Sequence, residues 1–138
     1  MPMRPFFSHP RFLPRLLMVD ATATGATALL LIAGAEALSP LLALPAALLR
    51  GAGWFLVPFV AWIATMSRMD RVPRRAMSAV VAINVAWVAA SLWLVVGGQY
   101  APSALGMAFV LMQAAAVAVF ADFGWCGLRA TRRRPAVT

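Results

Sequence analysis

The sequence predicts an all-α polytopic membrane protein. Its expected form is a four-transmembrane-helix antiparallel bundle with both termini cytoplasmic and a short interfacial helix in the first outer loop. Three observations lead there. Of 138 residues, 63% are hydrophobic and only 12% charged, too few polar side chains to cover a soluble domain. The apolar residues fall in four runs close to the roughly 20 residues that cross a bilayer as a helix. The arginines cluster at the ends of those runs.

Residues 1–13 form a basic tail, and the first span covers about residues 16–38. Ser39-Pro40 closes it and opens a short helix, with Ser as N-cap and Pro in the first turn. The stretch "SPLLALPAALLRGAG" is too short to span, so it reads as an interfacial helix, either a connector or a lid. Span two covers about 51–68, and "MDRVPRR" separates it from span three at about 76–96. The "GGQYAP" turn leads into span four at about 103–128, and 129–138 is a second basic tail. All of 1–138 reads as one membrane domain. Ala35-Glu36-Ala37 resembles a signal-peptidase site, but the 37 residues through it are long for such a signal, and the run from Leu16 to Leu38 suits a span.

Charge sets the orientation. All twelve basic residues are arginines, an alanine-rich, arginine-rich bias typical of GC-rich bacterial genomes. Arg4, Arg11 and Arg15, then Arg68, Arg71, Arg74 and Arg75, then Arg129, Arg132, Arg133 and Arg134 occupy three regions. Arginine is retained on the cytoplasmic side, and these regions share a side only if four spans separate the termini. Arg50 alone falls outside. Trp54, Trp93 and Tyr100 would mark the outer interface and Trp125 the inner one, while Trp62 and Trp87 sit deeper as packing residues. The location implied is a bacterial inner membrane, with the lipid bilayer as the first partner.

Several function classes lose support. Cys126 is the only cysteine and His9 the only histidine, so no zinc-type ligand set can be drawn and neither metal nor cofactor is expected. No nucleophile–base pair is visible, so an enzyme is not expected. No basic face with interleaved aromatics suggests nucleic acid.

What remains is a handful of polar residues inside the spans: Asp20, Thr24, Asn84, Gln113 and Asp122. Buried polar groups in lipid need partners. Asn84 and Gln113 are expected to face the interior, either as interhelical hydrogen bonds or as a polar spot that orients a ligand. Gly25, Ala28 and Gly34 on span one, and Ala104, Ala108, Ala115 and Ala118 on span four, read as helix-contact stripes. Asp122 shares the second stripe and is expected to point inward. Asp20 lies at a similar depth, so the two carboxylates are expected to share the cytoplasmic mouth, with Arg15, Arg68 and Arg129 as counter-charges. The alternative reading makes each an interfacial, purely structural group.

The segments "VDATATGATALLLIAGAEALSPLLALPAALLRGAG", "AINVAWVAASLWLVVGG" and "PSALGMAFVLMQAAAVAVFADFGWCGLR" resemble the small four-span inner-membrane proteins of proteobacteria. That resemblance implies the fold and the membrane, and no activity or site residue. The small multidrug exporters carry a central glutamate in their first span, whereas Glu36 stands at the outer end here. The expected role is a non-enzymatic accessory or partner-binding membrane component, with a membrane-protein partner or a second copy as partner. The alternative is a small carrier or binding module for a lipophilic or cationic molecule, using Asp20 and Asp122.

Overall fold

The computed structural model describes residues 4–132 and is helical throughout, with no strand among them. Arg133 and Arg134 of the C-terminal tail lie outside the described residues. The elements are α1 (Arg4–Phe7), α2 (Phe12–Ala33), α3 (Ala35–Leu42), α4 (Ala46–Ser67), α5 (Arg74–Val96) and α6 (Ala104–Arg132). Four of these, of 22, 22, 23 and 29 residues, are long and apolar enough to cross a membrane. The chain is thus a helical bundle with four candidate spans, as its composition requires.

The first span ends earlier than hydropathy suggested. Gly34 stops α2, its N–H bonding the Leu30 carbonyl at 2.8 Å, and a new helix starts at Ala35. Hydropathy runs straight through this break, because α3 is as apolar as the helix before it. The short helix expected to start at Ser39 is instead Ala35–Leu42, and Ser39 lies within it rather than capping it. Its hydroxyl donates to the Leu44 carbonyl at 2.6 Å across the turn that ends α3. That turn places Ala43 at φ 52°, a conformation unusual for a residue with a Cβ. Pro45 then opens α4 at Ala46, so residues 46–50 belong to the second long helix. Glu36 and Arg50 meet at 2.7 Å, but with side chains 79% and 43% exposed the pair adds little stability.

Two hairpins build the bundle. α2 lies along α4, and α5 lies along α6, while α2 and α3 also touch α6. Glycines mark the close approaches. A Cβ on Gly53 would stand 2.7 Å from Ile32 Cγ1, and one on Gly124 2.8 Å from Met77 Cε. Leu17, Ile63, Met77, Val80 and Leu128 form one apolar cluster at the end where the arginines gather. Leu31, Leu42, Leu49, Leu56 and Val110 form a second at the α3 end. Arg74 ties the first together: its Nη1 donates to the Leu128 carbonyl at 2.9 Å and to the Thr131 hydroxyl at 2.7 Å. The Thr131 hydroxyl donates to the same Leu128 carbonyl at 3.0 Å, so Arg74 fastens the start of α5 to the last turns of α6.

The contact stripe on α6 is not the one expected. Ala104, Ala108, Ala115 and Ala118 are all exposed. The buried face is Gly106, Val110, Ala114, Ala121, Gly124 and Leu128. In lipid the outward face is as apolar as the inward one, so hydrophobic periodicity does not separate them. Alanine suits both, and only the glycines mark the inner side.

Candidate functional site

Asp20 lies in the third turn of the long apolar helix α2, yet it is 3% exposed. Two donors reach it. Thr24, one turn on, donates its hydroxyl to Oδ1 at 2.8 Å. Thr22 and Thr27 instead bond backward to the carbonyls of Met18 and Ala23, the usual habit of a helical threonine. Thr24 is thus turned away from its own backbone toward the carboxyl. From α5, Asn84 Nδ2 approaches Oδ2 at 3.5 Å, a long contact between groups that are both buried. No cation pairs with Asp20 among the described residues, where Glu36–Arg50 is the ion pair found.

Thr24 and Asn84, the two donors to Asp20, also line a cavity of about 60 Å³ to which all four long helices contribute, and Asp20 itself stands behind them, outside its lining. Its polar edge is Thr24, Thr27, Asn84 and Gln113, and its apolar walls include Phe55, Phe59 and Phe120. At about 30 Å³ per water that is room for about two. Toward α3 lies a second cavity of about 130 Å³, walled by Leu31, Leu49, Leu94 and Val110. Trp87 and Gln113 line both and form the partition between them. Trp87 is stacked on Phe55, ring centroids 6.0 Å apart and planes 15° off parallel. Its indole Nε1–H is buried and has no hydrogen-bond partner. A buried donor left unpaired costs about 1–3 kcal/mol unless something occupies the space before it. Pro58, inside α4 beside Phe59, leaves the Trp54 carbonyl without its helical partner close to the same wall.

Comparison with known proteins finds no matching family model, no matching curated protein and no matching solved structure.

Of the residues picked from sequence, Asp20, Thr24 and Asn84 come into contact, and Gln113 borders the same cavity. Asp122 does not join them. It is exposed, in a separate groove with Val81, Val85, Val88 and Trp125 on the outer side of the α5–α6 hairpin. The expected shared mouth of Asp20 and Asp122 is therefore corrected. Asp122 stands about 100° around α6 from buried Ala121. Arg15, Arg68 and Arg129 form no ion pair with either carboxylate. Trp87, read as a packing residue, is the unpartnered donor of the site. Its position three residues after Asn84 on one helical face was the available signal. Among the described residues no group of three His, Cys, Asp or Glu side chains is placed to hold a metal ion.

Proposed function

We propose that this chain is a multi-pass inner-membrane binding module or carrier for a small lipophilic amine, whose cationic nitrogen pairs with Asp20. One observation carries the reading: a buried carboxyl on the apolar helix α2, with two neutral donors and, among the described residues, no cation paired with it. Carboxyls in spans are paired, protonated or used to exchange ions. The adjoining cavity offers apolar walls for a short alkyl group and a free N–H on Trp87 for an acceptor or a water. Both cavities fall well below the several hundred Å³ of drug-sized sites, which favours a small ligand. The other expectation, a partner-binding component, would use outer faces such as Trp93 and Val96, which lipid covers equally well.

Titration calorimetry of the detergent-solubilised protein with butylammonium tests the reading. Saturable binding is expected, and Asp20→Asn should weaken it about tenfold or more, the scale of a lost charged hydrogen bond. Asp122→Asn should leave it unchanged. Absence of binding by the wild type, or equal binding by Asp20→Asn, would overturn the proposal.

The arginine distribution supports both termini being cytoplasmic in a bacterial inner membrane. A phosphatase reporter fused after Thr138 should then be inactive, and one placed in the 97–102 turn active. The opposite pattern rejects this orientation.

A further inference from the structure

The seam between α2 and α6 opens, at the end where the arginines gather, into a groove of about 430 Å³. Its walls are apolar: Phe12, Leu16 and Val19 on α2 face Val119, Phe120 and Phe123 on α6. Two nitrogen-bearing side chains, His9 and Arg15, stand at its rim. Arg15 is exposed, and no carboxylate pairs with it among the described residues. His9 Nδ1 accepts the backbone N–H of Arg11 at 3.2 Å. An imidazole that accepts at Nδ1 carries its proton on Nε2, so its free edge is a donor. The Phe7 and Phe123 rings, 6.0 Å apart edge to face, hold the α1 turn against α6 beside this rim.

From Phe12 to Val19 the wall runs about 10 Å along α2, into the part of the helix read as spanning the membrane. A cation and an N–H donor above an apolar trough fit a molecule with an anionic oxygen head and a hydrocarbon tail. Free phosphate would leave the trough unused, and a zwitterionic lipid would bring its own ammonium against Arg15. We infer that this groove binds an anionic phospholipid, its phosphate on Arg15 and His9 and one acyl chain along Leu16, Val19 and Phe123. This inference is independent of the Asp20 reading, since neither Asp20 nor Asn84 lines the groove.

Native mass spectrometry of the full chain in detergent, with added phosphatidylglycerol, phosphatidylcholine or inorganic phosphate, tests it. The wild type should retain one phosphatidylglycerol about fivefold better than phosphatidylcholine, the increment expected of one basic group near a lipid surface. His9→Gln combined with Arg15→Gln should reduce retention to the phosphatidylcholine level, and Arg75→Gln should not. Val119→Trp, which fills the trough, should lower retention of both lipids. Equal retention of the two lipids by the wild type would overturn the inference. So would an unchanged preference in the double variant, an equal loss in Arg75→Gln, unaltered retention in Val119→Trp, or displacement of the lipid by equimolar phosphate.

Discussion

Asn84→Leu is expected to lower the melting temperature of the detergent-solubilised protein far more than Val85→Leu does. Asn84 is 5% exposed and supplies one of the two donors to Asp20, whereas Val85 is 55% exposed and faces outward. At 3.5 Å the Asn84–Asp20 contact is long, so its direct strength is modest. The cost arises from what is left behind: a buried carboxyl with Thr24 as its remaining donor, about 1–3 kcal/mol. Asp20→Leu should also destabilise, by stranding the Thr24 hydroxyl and the Asn84 amide. The two changes together should cost less than their sum, because removing both partners leaves nothing unsatisfied between them. Melting temperatures of the four proteins measure that coupling, with about 1 kcal/mol or more expected. Strictly additive losses would mean that Asp20 and Asn84 do not meet, and the site would have to be abandoned.

The sequence made some of this legible and hid the rest for physical reasons. Four spans were readable because run length and charged breaks depend on composition alone, and "MDRVPRR" and "GGQYAP" interrupt any apolar run. The break at Gly34 was not readable, because both helices it separates are apolar and a glycine inside a span is ordinary. Asn84 could be assigned to the interior because an amide has no partner in lipid. Pairing Asp20 with Asp122 failed because equal depth says nothing about direction around a helix. Direction is usually read from hydrophobic periodicity, and a bilayer removes that contrast. Gly106, Gly124 and Gly127 carried the information instead, since a missing side chain on α6 marks where a neighbour comes close.

Gly106 is where that closeness should matter most. A Cβ there would collide with the carbonyl oxygen of Leu42, and would also lie 3.1 Å from Pro102 Cβ. The obstacle is backbone, so no side chain can swing aside. Two hydrogen bonds fix the two segments in this position. Ser103 N–H donates to the Leu42 carbonyl at 3.0 Å, and the Ser103 hydroxyl donates to the Leu41 carbonyl at 2.7 Å. The same hydroxyl accepts the Gly106 N–H at 3.0 Å, which makes Ser103 the N-cap of α6. The start of α6 therefore satisfies carbonyls that the end of α3 leaves free, and α3 is a clamped connector. Gly106→Val must push α6 away from α3, at about 1–3 kcal/mol for the overpacking plus some of those bonds. Ser103→Ala removes the cap without forcing the helices apart, and should cost about 1 kcal/mol. Gly51→Val is the control: Gly51 is exposed on α4 with nothing within 4 Å of a Cβ, so its effect should be near zero. Melting temperatures in one detergent should rank the losses Gly106→Val, then Ser103→Ala, then Gly51→Val. If Gly106→Val melts like Gly51→Val, α3 does not rest on α6 at this point, and the α3 end of the bundle is open where the present packing closes it.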